Sequence, residues 1–320
     1  MNEATWRCLK CSISTQVLLG WQEYIVIKLT TMNRFTTPSW VKANNIEYDN
    51  FRLLPPAFLL AVKNGLSRFK EPNPEVSIVI PAWNEGKNLL KTLASLSQLK
   101  LPYKTELIIV NNNSTDDTQE ILDYFGIKSF FQPIQGISIT RQMGLENAKG
   151  KYILSADADS LYPETWGIDF VQQLKNPRVS VVYGRYSFIP SSGNRFWLGI
   201  HEILAEAIFY LRSHKKACIN VMGFNCAFLR EEALKIGGYS KVNMKWEDGM
   251  LAKRLSENFG EIVVVTSADA RPWTSDRRLM ADGSLWKAFV RRVKKELSYI
   301  HELLPFGKWK VLSNSQNSLH

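Results

Sequence analysis

The 320-residue chain has few cysteines and no long apolar run, and each absence excludes a class of protein. A membrane-spanning helix needs about 20 consecutive apolar residues. The apolar run at residues 53–62 is about half that length and is broken by Pro55 and Pro56. Four cysteines are too few for a disulfide framework, which favours a reducing compartment. Because no signal peptide is recognisable, we expect a cytoplasmic protein.

Two nucleotide-binding signatures are also absent. The chain has neither the G-x-G-x-x-G of dinucleotide-binding enzymes after its first strand nor a P-loop. These absences count against a nicotinamide enzyme and against a nucleoside triphosphatase. The composition is instead basic, with 40 Lys and Arg against 30 Asp and Glu and a formal net charge of +10. Such a charge favours an anionic partner, namely nucleic acid, a phosphate-bearing substrate or an acidic membrane surface.

From residue 75 onward, short apolar runs alternate with segments of helical periodicity. Predicted strands lie at residues 76–80, 107–110, 127–131, 152–156, 179–188, 219–229 and 262–265. Predicted helices lie at residues 86–99, from an N-cap at Ser114 or Thr115 to Phe125, and at 139–149, 195–214, 247–258 and 285–304. This alternation predicts an α/β fold with a single Rossmann-like, mostly parallel or mixed sheet and helices on both faces.

Three polar clusters follow predicted strands, at residues 81–86, 111–117 and 157–160. Ligands of open α/β sheets bind at the carboxyl ends of the strands, so we expect the clusters to converge on one crevice. An Asp-x-Asp pair by itself is common in solvated turns. After an apolar strand, however, Asp157 and Asp159 can hold Mg²⁺ or Mn²⁺, since these ions prefer oxygen ligands and leave positions open for substrate phosphates.

Taken in order, these segments resemble glycosyltransferase family 2, the inverting nucleotide-sugar glycosyltransferases with the GT-A fold. The matching segments are the strand and loop at 76–85 with Pro-x-x-Asn-Glu, the loop at 112–116, Gly136 with 141–150, the Asp-x-Asp at 157–159, the strand at 223–228 and the Glu-Asp pair at 247–248. The resemblance covers about residues 75–265 and implies a donor that is a UDP- or GDP-sugar.

The resemblance also implies roles for individual residues. The predicted nucleotide-binding residues are Pro81, Ala82, Glu85, Asn111, Asn113, Arg141 and Asp157. Asp157 and Asp159 would bind the diphosphate through Mg²⁺ or Mn²⁺. On the acceptor side, Asp248 would deprotonate the acceptor hydroxyl, and Glu247 would orient the substrate or bind the acceptor. Without the other motifs, the acidic pair would be read as charge stabilisation of a helix N-terminus.

The sequence departs from the family pattern at two places. Asn111 stands where many members carry Asp, which leaves the choice between uracil and guanine open. The Gln-x-x-Arg-Trp of processive synthases is missing, which disfavours a processive polysaccharide synthase. Arg277 and Arg278 are expected to contact the diphosphate instead.

Three regions are predicted along the chain. Residues 1–74 form an N-terminal extension, in which Met1 and Met32 both remain candidate starts and residues 50–70 contain an amphipathic helix. That helix either packs on the main domain or contacts a membrane surface. Residues 75–270 form the catalytic domain, and residues 271–320 form a basic loop and helix. This basic segment is either a solvated face or a peripheral contact with the inner face of the cytoplasmic membrane.

The predicted function is therefore metal-dependent, inverting transfer of a sugar from a nucleotide sugar to a saccharide or lipid-linked acceptor, without a nucleic-acid partner. Two alternatives stay open. One is a nucleotidyltransferase on a related sheet, and the other is a non-catalytic basic module that binds anionic lipid or nucleic acid. The sequence leaves the sugar, the acceptor and the oligomeric state open.

Overall fold

The computed structural model describes residues 34–191, 195–213, 216–239 and 246–280. The described residues up to Asp276 belong to one compact unit, and Arg277 begins a second unit. The candidate start at Met32 and the predicted basic helix at residues 285–304 lie outside the described residues.

The strands are β1 (Val76–Ala82), β2 (Thr105–Asn111), β3 (Lys128–Phe131), β4 (Tyr152–Ser155), β5 (Ser160–Leu161), β6 (Val179–Gly184), β7 (Ser187–Ile189), β8 (Cys226–Leu229), β9 (Glu261–Val265) and β10 (Trp273–Ser275). The α-helices are α1 (Ser39–Asn44), α2 (Pro56–Leu66), α3 (Leu89–Leu96), α4 (Thr118–Phe125), α5 (Ile137–Asn147), α6 (Ile168–Leu174), α7 (Arg195–Ser213), α8 (Arg230–Lys235), α9 (Glu247–Asn258) and α10 (Arg277–Met280).

The main sheet has seven strands in the order β3-β2-β1-β4-β8-β6-β9. Only β8 runs antiparallel to its neighbours, β4 and β6, while the other pairs are parallel. A smaller sheet has the order β5-β10-β7. The prediction of a mostly parallel, mixed sheet is confirmed. Because β1, β2 and β4 are parallel neighbours, their carboxyl ends lie at one edge of the sheet.

Helices cover both faces of this sheet. Ile78 and Ile80 of β1 pack in one apolar cluster with Leu93 of α3, whereas the intervening Val79 packs in a second cluster with Leu145 of α5. This alternation follows from the two-residue side-chain period of a strand. Such burial on both faces explains why these strands read as continuous apolar runs.

The amphipathic helix predicted within residues 50–70 is present as α2. Its apolar residues Leu59, Val62 and Leu66 are buried in the same cluster as β1. The interpretation that this helix packs on the main domain is therefore confirmed for its apolar face. Membrane contact through the same face is wrong, since helix α3 and the apolar cluster of the core already cover it.

Two predicted strands in the second half were too long. The predicted strand at 179–188 is divided into β6 and β7, which belong to different sheets. The division falls at Arg185, whose carbonyl accepts a hydrogen bond from the Asn225 side chain at 2.8 Å. The predicted strand at 219–229 begins only at Cys226, because a 3-10 helix occupies Ala217–Asn220 and a turn follows it.

Candidate active site

The loops after β1 and β2 are joined to one another by hydrogen bonds. The backbone N–H of Asn84 donates to the hydroxyl of Ser114 at 3.0 Å, and the Asn84 side-chain oxygen accepts from the N–H of Thr115 at 2.8 Å. The N–H of Gly86 donates to the Asp116 carboxylate at 2.8 Å. These bonds satisfy polar groups of both loops and so fix one continuous platform at the sheet edge.

The same bonds correct the predicted N-cap at Ser114 or Thr115. Helix α4 begins at Thr118, whose N–H donates to the Asp116 carboxylate at 3.0 Å. Ser114 and Thr115 instead hold Asn84 of the neighbouring loop. The side-chain oxygen of an N-cap accepts from an N–H of its own helix, whereas the Ser114 hydroxyl accepts from the N–H of Asn84 in the neighbouring loop.

The predicted base-contacting residues differ in their placement. Asn111 is buried, and its amide donates to Gln119 at 2.8 Å while its oxygen accepts from the N–H of Ser114 at 3.0 Å. Asn113 is exposed and has a left-handed backbone with φ of 57°, as does Asn84 with φ of 52°. Asn111 therefore supports the platform from below, while Asn113 lies on its surface. Left-handed non-glycine residues often cluster at functional sites.

The other residues predicted for the nucleoside pocket line the end of β1. Ala82 is buried and Pro81 is half-buried. Glu85 follows them, and its carboxylate accepts a hydrogen bond from the Asn88 side chain at 2.7 Å. Its backbone N–H donates to the hydroxyl of Thr118 at 2.9 Å. Glu85 is thus held at the junction of the two loops.

The Asp-x-Asp turn after β4 is anchored by a buried tyrosine. The hydroxyl of Tyr162 accepts a hydrogen bond from the N–H of Asp157 at 2.8 Å and donates to the carbonyl of Phe224 at 3.1 Å. The carbonyl of Asp159 accepts from the N–H of Ser275 in β10 at 3.3 Å. The turn is consequently fixed both to the segment before β8 and to the smaller sheet.

Arg141 of α5 connects the Asp-x-Asp turn to the acidic pair at the start of α9. Its guanidinium lies 2.8 Å from the Asp157 carboxylate, 3.3 Å from that of Asp248 and 3.9 Å from that of Glu247. It also donates to the hydroxyl of Ser155 at 2.8 Å. One buried cation therefore gathers three carboxylates from two segments that are far apart in the sequence.

Two glycines allow Arg141 to occupy this place. A Cβ on Gly144 would lie 2.3 Å from the Val79 side chain, so glycine lets α5 approach β1 closely. A Cβ on Gly223 would lie 2.3 Å from the Arg141 guanidinium and 2.4 Å from both oxygens of Asp248. The N–H of Gly223 donates to the Asp248 carboxylate at 2.9 Å.

The surroundings of Asp248 suit a general base. Burial raises its pKa to about 7, the Arg141 cation opposes that rise, and Glu247 and Asp157 add to it. The same carboxylates keep the guanidinium charged, since burial lowers the pKa of Arg141 but Asp248 and Asp157 raise it well above its usual value. A carboxyl group with a pKa near neutrality accepts a proton efficiently at physiological pH.

The donor set at the Asp-x-Asp turn fits a hard divalent cation that the substrate helps to bind. In the described part of the chain, no group of three or more His, Cys, Asp or Glu side chains could hold a metal by itself. Asp157 and Asp159 supply carboxylate oxygens, although one Asp157 oxygen also contacts Arg141. Mg²⁺ typically uses one or two carboxylates together with substrate phosphates and water, so two carboxylates suffice.

Sequence reasoning missed three residues of this site. Gly223 and Tyr162 hold its two halves together. Gly223 opens the matched segment at 223–228 but was given no role in the site, and Tyr162 carries no sequence signal beyond its place near the Asp-x-Asp pair. Trp246 has a left-handed backbone with φ of 76° directly before α9 and is 40% exposed. Its indole covers Gly249, where a Cβ would lie 2.4 Å from the ring.

The predicted phosphate contacts at Arg277 and Arg278 remain a prediction. Arg277 is exposed in α10, at the start of the second compact unit. The side chain of Arg278 lies outside the described residues.

Comparisons with known proteins agree with the fold and the motifs. The model of the family "Glycosyl transferase family 2" matches residues 77–237, which is half of the chain. The chain is 32% identical over 130 residues to Glycosyltransferase GlyG of Streptococcus pneumoniae, covering 38% of this chain and 42% of that protein. It is 25% identical over 252 residues to the poly-beta-1,6-N-acetyl-D-glucosamine synthase of Staphylococcus epidermidis, covering 77% of this chain and 59% of the synthase. The chain thus spans about half the length of these relatives.

Solved structures show the same fold. The structure of S. aureus TarS residues 1–349 in complex with UDP matches with a TM-score of 0.52 and 17% identity. The match covers 63% of this chain and 60% of that chain. The prediction of the GT-A fold is confirmed.

Proposed function

Because the chain belongs to glycosyltransferase family 2 and is a glycosyltransferase, we propose that it transfers a sugar from a nucleoside diphosphate sugar to an acceptor hydroxyl with inversion and with a divalent metal. Membership in this family disfavours both alternatives, a nucleotidyltransferase and a non-catalytic basic module. The observation that carries the finer proposal is the contact of Arg141 with Asp157 on one side and Asp248 on the other.

The proposed base is Asp248. An inverting transfer is a single displacement at the anomeric carbon, and it needs one group that takes the proton of the attacking hydroxyl. With its pKa raised to about 7, Asp248 can hold that proton better than an exposed carboxylate could. One Asp248 oxygen accepts from the N–H of Gly223 at 2.9 Å, and the other lies 3.3 Å from the Arg141 guanidinium.

The proposed binding site for the diphosphate is the Asp-x-Asp turn. Asp157 and Asp159 would hold Mg²⁺ or Mn²⁺, which when bound supplies Lewis-acid neutralisation of the leaving diphosphate. Arg141 holds Asp157 and Asp248 at a fixed separation, so the donor and acceptor sides of the crevice keep their spacing. Such fixed spacing lowers the entropy cost of bringing two substrates together.

We propose that the base of the nucleotide rests on the platform formed by the loops after β1 and β2. Asn113 lies exposed on that platform, and Glu85 lies at its junction. The donor nucleotide stays open between UDP and GDP. UDP-GlcNAc is the first donor to test, because the names of two relatives, the S. epidermidis synthase and a S. aureus N-acetylglucosaminyltransferase, contain that sugar.

The test is a panel of UDP- and GDP-sugars with Mn²⁺, in which release of the nucleoside diphosphate and thermal stabilisation are measured together. We expect Asp248→Asn to keep the stabilisation by donor and to lose turnover by about 10²–10⁴-fold, the usual contribution of a general base. We expect Asp159→Ala to lose the stabilisation that depends on Mn²⁺.

The matched control is Asp49→Asn, which removes the charge of an exposed aspartate. It should leave both readouts unchanged. Undiminished turnover in both Asp248→Asn and Asp159→Ala would refute the assignment. Proton NMR of the product tests inversion, since an α-linked donor must give a β-linked product.

A further inference from the structure

Between residues 195 and 210, helix α7 buries its charged residues and presents apolar residues to the outside. Its buried residues include Arg195, His201, Glu202 and Glu206. The residues from 196 to 210 that are not buried are all apolar or aromatic, namely Phe196, Trp197, Ile200, Ile203, Leu204, Ala207, Ile208 and Tyr210. A surface helix of a water-soluble protein normally has the opposite arrangement.

Ion pairs fix α7 in this orientation. Glu206 pairs with Arg34 at 2.9 Å and also with Arg271, while Glu202 accepts a hydrogen bond from the N–H of Phe188 in β7 at 2.8 Å. Rotating the helix to expose these groups would break pairs that have already lost their hydration, which is costly. The outward apolar face is therefore a fixed property of the fold.

The exposed residues of this face form one continuous surface. The rings of Phe196 and Phe35 lie 5.2 Å apart, and those of Phe196 and Trp197 lie 5.6 Å apart. Trp197 is 56% exposed and Leu204 is 40% exposed. At 1.5 Å per residue, the face extends over about 21 Å. We call Phe35 and the outward residues of α7 between 196 and 210 the α7 face.

The α7 face is too small for a stable homodimer. Aromatic side chains offer about 150–250 Å² each, so the exposed fractions of its residues give roughly 500 Å² of apolar surface. A stable protein interface needs about 800 Å² from each partner. A membrane surface has no such threshold, because an interfacial helix needs only to bury its apolar face among the acyl chains.

Charge also favours a membrane that contains anionic lipid. The outward residues of α7 between 196 and 210 include no acid, and Arg212 and the exposed Lys216 follow at its C-terminal end. The chain as a whole carries a net charge of +10. Among the described residues, no helix is long and apolar enough to cross a bilayer. An apolar face with aromatic residues and flanking cations is typical of a helix that lies in the interfacial plane.

We propose that the α7 face docks the enzyme onto the surface of an anionic phospholipid bilayer. The rings of Phe209 on α7 and Phe224 both contact the ring of Tyr186, with centroids 6.3 and 5.0 Å away. The carbonyl of Phe224 accepts from Tyr162, which holds Asp157. Docking would therefore hold the Asp-x-Asp turn at a fixed height above the lipid.

The test is co-sedimentation of the full chain with vesicles of phosphatidylcholine, with and without phosphatidylglycerol. We expect binding to the anionic vesicles that weakens as salt is raised, because exposed charges are screened. Trp197→Asp and Leu204→Asp should each weaken vesicle binding by about tenfold or more, since each places a charge in the α7 face, which the lipid would cover. The matched control is Leu60→Asp, an apolar residue that is 58% exposed on α2, and it should bind as the unmodified protein does.

Thermal unfolding and donor hydrolysis without vesicles show whether each variant is folded, and they also separate this proposal from the proposed function. Three results would overturn the proposal. The first is no vesicle binding by the unmodified protein. The second is vesicle binding by Trp197→Asp and Leu204→Asp that is as strong as that of the unmodified protein. The third is a dimer in sedimentation velocity that Trp197→Asp dissociates, which would assign the face to a second copy of the chain.

Discussion

Replacing Gly223 by alanine tests whether the contact between Arg141 and Asp248 controls catalysis. The added Cβ would lie 2.3 Å from the Arg141 guanidinium and 2.4 Å from the Asp248 carboxylate. Neither group can move away easily. Arg141 is bonded to Ser155 and Asp157, and Asp248 is bonded to the N–H of residue 223 itself. The methyl group must therefore displace one of them by about 1 Å to reach an ordinary contact distance.

The expected cost follows from that displacement. Overpacking of this kind destabilises a protein by about 1–3 kcal/mol. A displacement of about 1 Å in a catalytic group can lower the rate about 100-fold. We expect Gly223→Ala to lower kcat by about that factor and to change the KM for the donor much less, since the loops after β1 and β2 are untouched.

The assay is steady-state release of nucleoside diphosphate, with thermal unfolding measured on the same samples. The control is Gly237→Ala, where φ is +83° and no atom lies within 4 Å of the added Cβ. That variant should lose about 1–2 kcal/mol through its left-handed backbone and keep its kcat. The reasoning fails if Gly223→Ala keeps more than half of the kcat, or if Gly237→Ala loses as much activity.

Four further predictions concern the same site. Arg141→Gln removes the cation shared by three carboxylates and should destabilise the fold by about 3–5 kcal/mol, seen as a lower Tm, and an unchanged Tm would contradict this. Turnover should rise with pH as Asp248 ionises with a pKa of about 7, and a flat profile from pH 5 to 9 would contradict its role as base. Because the pKa of Asp248 in the folded protein lies above its ordinary value of 3.8, the contribution of Asp248 to stability is fully present below pH 3.8 and is lost as the pH rises through about 7. Urea unfolding at several pH values measures this change. Chelation by EDTA should abolish turnover and Mn²⁺ or Mg²⁺ should restore it, so full activity in EDTA would exclude the proposed role of Asp157 and Asp159.

Local pattern predicted the first half of the fold well. Strands β1, β2 and β4 are buried on both faces, so each reads as an apolar run, and the predicted ends lie within two residues of the observed ones. Helix α9 has the predicted bounds, Glu247–Asn258. The misses occur where a distant residue takes part in the local hydrogen bonds. Asn225 lies outside residues 179–188 and cannot be recognised from their sequence pattern. Its side chain nevertheless donates a hydrogen bond to the carbonyl of Arg185, where the predicted strand divides.

The start of α4 was missed for the same kind of reason. Ser114 and Thr115 are good N-cap residues by type, and nothing local distinguishes an N-cap from a residue that bonds another loop. Their partner is Asn84, thirty residues earlier in the chain. Only the pairing of β1 with β2 brings the two loops together.

The sequence by itself determined the class of fold, the family and the residue types at each strand end. These follow from local periodicity and from motifs in a fixed order, which do not depend on distances through space. Tertiary structure alone decided that Arg141 contacts both Asp157 and Asp248, because these residues meet only after α5, β4 and α9 have packed. It also decided that Asp248 has a raised pKa, since that shift depends on burial and on neighbouring charges. The orientation of α7 was decided in the same way, because Glu206 pairs with the buried cations Arg34 and Arg271 from distant segments and the apolar residues of the helix are left outside.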